Sequence, residues 1–158
     1  MLGRIFPKTI DNRYRGHLAA LWIFVPLVIL RLGIAIGSLV RADGSLQSAD
    51  GIPLDTYPPA AAQAIIAVSA YGDVADLWLA LIFVLALIRY RAMVPLMFLV
   101  VVLDWFAHKG VGMAKPMERM AGASPGSYLT LAIFGMSLVG FILSVTGKGY
   151  RLAEPAAA

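Results

Sequence analysis

Four apolar runs govern what this chain can become. Residues 18–40, 61–88, 92–107 and 127–146 each approach the ~20 residues that carry a helix across a hydrocarbon core. The third is the shortest, and its helix is expected to continue through His108 to about residue 113, which gives it a polar end. Composition agrees with four spans. A chain of 158 residues with 60% hydrophobic and 14% charged residues and a mean hydropathy of +0.81 is too apolar for a soluble domain. The expected fold class is all-α: an integral membrane four-helix bundle in a single transmembrane domain over 1–158, with spans at about 18–40, 61–88, 92–113 and 127–146. With no cysteine, the chain makes no disulfide, no thiolate metal site and no thiol redox centre.

Basic residues orient the spans. Arg4, Lys8, Arg13, Arg15, Arg89, Arg91, Lys148 and Arg151 fall on one side, and Arg41, Lys109, Lys115 and Arg119 on the other. By the positive-inside rule both termini are expected to be cytoplasmic, with the protein in a bacterial inner membrane. The same bias accounts for the net charge of +4, so no nucleic-acid partner is expected. Residues 4–30 have the charged and apolar regions of a signal peptide, but no clean small-residue cleavage site follows, so a retained first span is expected. Phe6, Ile10 and Tyr14, at i, i+4 and i+8 among basic residues, suit a segment lying on the inner leaflet.

The outer loop, residues 41–60, holds Asp43, Asp50 and Asp55, two Asp-Gly turn signals, and Pro53, Pro58 and Pro59. Leu46, Ile52, Leu54 and Tyr57 make it too apolar for a free linker, so it is expected to fold back over the bundle or meet a partner. Its aspartates lack the ligand spacing of an EF-hand. In the second outer connection Met113, Met117 and Met120 follow one another at helical spacing, with Lys115, Glu118 and Arg119 between them. They suggest a short interfacial helix at about 114–121, or a methionine-lined surface for a partner.

Ionisable residues inside the spans mark the candidate site. At ~1.5 Å per residue, Arg31 lies about 20 Å from the inner end of its span, Asp76 and Asp104 about 18 Å, and Asp73 about 22 Å, so helices 1 to 3 converge on one level. Asp73 and Asp76 share a helix face at i, i+3; Asp104 and His108 share another at i, i+4. One planar guanidinium can meet carboxylates from two helices. It cannot neutralise three of them. A protonated carboxyl, a proton from His108 or Lys109, water or a bound cation must supply the balance. The layer is thus read as a register-setting ion-pair network, with proton or cation handling and metal chemistry as alternatives. Neither a Glu-x-x-His pair nor a His-Glu-x-x-His motif is present, so no metal ligand and no catalytic residue is assigned. Gly33 with Gly37, and Gly140 with Ser144, form small-xxx-small steps expected to pack helices, within the bundle or between subunits.

Residues 29–33 (Ile-Leu-Arg-Leu-Gly) through Gly37, followed by Arg89 to Ala92 before an apolar span ending in His108, resemble the DoxX-like group of small four-span bacterial membrane proteins. The likeness covers the first three spans. Arg41 stands near where that group often has a Gly and Lys pair, and Asp73 and Asp76 stand where a Glu is usual. The resemblance implies an accessory subunit of a membrane redox complex, for example one that passes electrons to quinone, and it transfers no catalytic residue. A non-catalytic accessory or assembly subunit of a larger inner-membrane complex is therefore expected. The alternative is a small proton- or cation-coupled transporter or channel using the Asp/Arg layer. Expected partners are membrane lipids and other membrane subunits or further copies of the chain. No cofactor is expected within the chain, although a bound lipid or quinone is compatible with either reading.

Overall fold

The computed structural model describes residues 2–117, 119–120 and 124–146. Among them the fold is all-α, with no strand: α1 (Leu2–Ile5), α2 (Leu18–Val40), α3 (Ala42–Ser48), α4 (Pro59–Ile88), α5 (Val94–Ala114) and α6 (Pro125–Thr146), with 3-10 turns at Leu54–Thr56 and Arg91–Met93. Helices α2, α4, α5 (with the 3-10 turn before it) and α6 are long and apolar enough to cross a membrane.

Local chemistry sets their ends. His17 caps α2, its Nδ1 accepting from the Ala19 N–H at 3.1 Å and satisfying one of the donors that a helix start leaves unpaired. Pro59 opens α4 at its first helical position, where a missing N–H costs nothing. At ~1.5 Å per residue, the 30 residues of α4 run about 45 Å, well beyond a ~30 Å hydrocarbon core.

Helix α2 packs against α4 on one side and α6 on the other, and α5 packs against α6; contacts between α4 and α5 are sparse. The apolar core lies at the basic end of the bundle, where Ile88 and Val94 are joined by a short turn. Phe24 meets the Phe98 ring edge-on at 5.2 Å and the Phe83 ring at 5.8 Å, and Leu27, Val94, Val101 and Ile133 close around them. The opposite, loop end is splayed. No residue of α4 before Ala80 is buried, and every described residue from Phe106 to Met117 is exposed.

The N-terminal segment closes the basic end from below. The Arg4 guanidinium donates to the Val145 carbonyl at 2.9 Å, the His17 N–H donates to Leu143 at 3.3 Å, and the Ala92 N–H donates to Asp11 at 3.2 Å. Gly16 has no room for a side chain, since a Cβ would meet the Tyr14 hydroxyl and the Ser144 carbonyl. The Tyr14 hydroxyl itself is buried and has no hydrogen-bond partner among the described residues, and burial pushes its ionisation above the ordinary tyrosine value. An unsatisfied buried hydroxyl is unfavourable, so Tyr14→Phe is expected to stabilise the protein by about 1 kcal/mol at neutral pH. The unfolded tyrosine ionises near its ordinary ~10 while the folded one stays neutral, so the wild type loses stability as pH rises above that value and the gap to the variant widens. Thermal unfolding of both proteins in detergent at pH 7 and pH 11 tests the pair of effects; equal midpoints at both would refute them.

The 41–60 loop is ordered against α4. Leu46, Ile52 and Leu54 form their own apolar cluster with Tyr57, Ala62, Ile65 and Ile66. The second connection lies on top of it, the Met120 N–H donating to Gly51 at 2.8 Å and the Gly126 N–H to Ala49 at 3.0 Å. Gly51 needs to be glycine, because its φ of 72° is in the left-handed region. The helix expected at about 114–121 is not formed at 115–117 or 119–120. Pro116 disfavours helical geometry at the preceding residue, and Lys115 accordingly leaves the helix at φ −133° and ψ 74°. Met113 therefore lies in the last turn of α5 while Met117 and Met120 lie outside any helix, all three exposed but on no common helix face. Glu118 and residue 121 of that expected helix lie outside the described residues.

Candidate functional site

The polar layer lies where the packed half of the bundle gives way to the splayed half. Arg31 follows the buried pair Leu27 and Val28 on α2 by one turn, and Asp104 follows Val101 and Val102 on α5 by about as much. Their side chains meet across the bundle: Arg31 Nη2 donates to Asp104 Oδ2 at 2.8 Å, with 17% of the Arg31 side chain and 27% of the Asp104 side chain exposed. Asp76 on α4, 49% exposed, faces the other arm of the guanidinium, 3.9 Å from Nη1. One arginine thus links α2 to both α4 and α5, the two helices that hardly touch each other. The pairing also fixes the partner left open by the spacing alone: Asp104 holds the direct hydrogen bond, and Asp76 the longer ion pair.

His108 extends the network toward the loop end. Its Nδ1 lies 3.2 Å from Asp104 Oδ1 and 3.0 Å from the Asp104 carbonyl, while its ring is 75% exposed. A proton on Nδ1 would bond the carboxylate and the carbonyl together, and an exposed ring can exchange that proton with its surroundings. Lys109 turns elsewhere, its ammonium 5.5 Å from the centre of the Trp105 ring, so it does not supply the layer's missing positive charge. Asp73 stands one turn farther along α4 and makes no ion pair among the described residues; its electrostatic neighbours are Asp76 and Asp50. The structure therefore brings Arg31, Asp76, Asp104 and His108 together and leaves Asp73 beside them. Among the described residues no three His, Asp or Glu side chains converge as metal ligands.

The packing glycines divide in the same way. A Cβ at Gly140 would run into the ring of Phe98, so α6 and α5 approach as closely as they do because that residue has no side chain. Ser144, one turn later, is fully buried and donates to the Phe141 carbonyl at 2.7 Å. Gly33 and Gly37 do not pack helices within this chain, because a Cβ at either position would meet nothing within 4 Å. The buried face of α2 runs through Phe24, Leu27, Val28 and Ala35, and both glycines point away from it.

Beside Asp104, the structure adds an aromatic cluster that sequence reasoning missed. Trp105 stacks on Phe134 at 4.2 Å, and Phe106 meets Phe134 edge-on at 5.7 Å, tying α5 to α6 just past the ion pair. An aromatic pair directly following Asp104 was the available signal; its meaning depends on α6 being the neighbour.

Chemically, the arrangement can hold three helices in register and pass a proton between a carboxylate and an imidazole that opens to the surroundings. Compared with known families, proteins and solved structures, the chain matches none of them.

Proposed function

We propose that this protein is a non-catalytic accessory or assembly subunit of a larger bacterial inner-membrane complex, with both termini in the cytoplasm. One observation carries the reading: past Phe106, from Ala107 to Ala114, the end of α5 is exposed at every position, although it carries His108 and Lys109 and adjoins the ion-pair layer. A polar helix end without neighbours is costly in hydrocarbon, and a helix from another subunit would both cover it and complete the balance of charge around Asp76 and Asp104. The outward-facing Gly33 and Gly37 offer a second close approach on α2. The resemblance of residues 29–37 and 89–108 to the DoxX-like group favours a redox or energy-transducing complex.

The absence of cysteine gives a clean test, because a single introduced thiol is unique. Gly112→Cys, crosslinked in native membranes and purified in mild detergent, is expected to capture one membrane polypeptide reproducibly. Purification of the uncrosslinked chain alone under all gentle conditions would overturn the reading.

A second reading is favoured by the sequence of carboxylates on the splayed side. Asp50, Asp73 and Asp76 lie within electrostatic reach of one another in turn and lead to Arg31, as the entrance of a proton- or cation-coupled pathway would. In vesicles holding the purified chain alone, that reading requires ion flux which Asp76→Asn lowers; a flux-free wild type removes it.

A further inference from the structure

At the basic end, away from the ion-pair layer, two adjoining recesses run between the N-terminal segment and the turn from α4 to α5. The first, about 370 Å³, is apolar and lined by Ile82, Leu85, Ala86 and Met93. The second, about 450 Å³, is lined by Asp11, Asn12, Ile88 and Arg89 and is more polar than the first. Ile10 and Tyr90 border both, so the two lie side by side. Together they change from apolar to polar along the axis of α4. Ile82, Leu85 and Ala86 share one helix face, and Arg89 caps the helix where a span ends and phosphates begin.

Charge selects the occupant. Asp11 is already matched by Arg15 at 2.6 Å, and the Arg15 hydrogen bond holds its carboxyl below the usual range. Arg91 turns its Nε to the Leu87 carbonyl at 3.0 Å. Arg89 is exposed, and its guanidinium has no ion pair among the described residues. The polar recess is therefore lined by an arginine with no ion pair among the described residues and by an already satisfied carboxylate, a charge balance that suits a phosphate and gives a neutral headgroup no advantage. Tyr90, apolar in body and polar at its tip, stands at the junction, as tyrosines do at membrane boundaries.

We propose that these recesses seat one anionic phospholipid, its phosphate at Arg89 and an acyl chain along Ile82, Leu85 and Ala86. The proposal rests on α4 being a membrane span and is independent of whether α5 meets another subunit. It gives the N-terminal segment a further role, as one wall of a lipid seat.

Native mass spectrometry of the delipidated full-length protein, titrated with dioleoylphosphatidylglycerol or dioleoylphosphatidylcholine, tests it. The anionic lipid should be retained about fivefold better, the ratio equivalent to the ~1 kcal/mol that one basic residue contributes near an anionic surface. Arg89→Gln should abolish that preference, Arg89→Lys should keep most of it, and Arg41→Gln at the other end of the bundle should leave it unchanged. Photoreactive phosphatidylglycerol should mark residues 82–93. Equal retention of the two lipids, an unchanged preference in Arg89→Gln, labelling confined to other segments, or an isoprenoid quinone as the molecule held against Arg89 would each overturn the proposal.

Discussion

Replacing Arg31 with leucine is expected to destabilise the protein by about 2–4 kcal/mol, enough to remove much of the folded population of a marginally stable domain. Breaking a fully buried ion pair costs ~3–5 kcal/mol because the remaining charge is left desolvated, and the partial exposure of Asp104 lowers that figure here. Two carboxylates lose the only arginine partner they have among the described residues, and α5 loses its polar tie to α2. Arg31→Lys should recover only part of the loss, because an ammonium is a single point charge and cannot serve Asp104 and Asp76 with separate arms. Arg31→Leu combined with Asp104→Leu should recover most of it, since replacing both partners removes the orphaned charge and adds apolar surface. Thermal midpoints in detergent for the single and double variants form a double-mutant cycle. A neutral Arg31→Leu, or a double variant no better than the single, would mean that the pair does not organise the bundle.

The next largest effect should come from one methyl group. Gly140→Ala drives a Cβ into the outer edge of the Phe98 ring, which is itself fully buried against Phe24, so the ring cannot step aside freely. Overpacking of this kind costs ~1–3 kcal/mol, and Gly140→Val should exceed it and separate α6 from α5. Trimming the neighbour should compensate: Gly140→Ala with Phe98→Leu is expected to be more stable than Gly140→Ala alone. Gly33→Ala is the control, since its Cβ meets nothing and alanine is favoured over glycine in a helix by ~1 kcal/mol. Unfolding midpoints of the four variants decide it; similar values for Gly140→Ala and Gly33→Ala would remove the distinction.

These two cases also mark how far the chain could be read before its structure. Four runs of span length are visible because hydrocarbon demands continuous apolarity, and α2, α4, α5 and α6 occupy them. The charges of the polar layer stand out against that background for the same reason. Their pairing does not, because Arg31 could reach span 2 or span 3 until the order of helices is known. Gly33, Gly37 and Gly140 look alike in sequence, yet only Gly140 lies on a face that meets another helix of the chain. Spacing alone cannot report which side of a helix is inward when nearly every residue is apolar. The methionine spacing suggested a helix at about 114–121, while the backbone restriction before Pro116 ends the helix at Ala114, and residues 115–117 and 119–120 are not helical. Trp105 and Phe134 are nearly thirty positions apart, so their stacking follows from the adjacency of α5 and α6 and from nothing local.

The closure beneath the bundle has a consequence for how the protein is made. Arg4 and His17 bond to Val145 and Leu143, and Gly16 admits the Ser144 backbone, so the segment that precedes α2 is fastened to the end of α6. Until α6 has entered the bilayer, Tyr14 and the start of α2 have nothing to close against on that side. The clasp can therefore close only once α6 is in place: the segment before α2 waits through three long helices, and the fourth completes the contact that holds it.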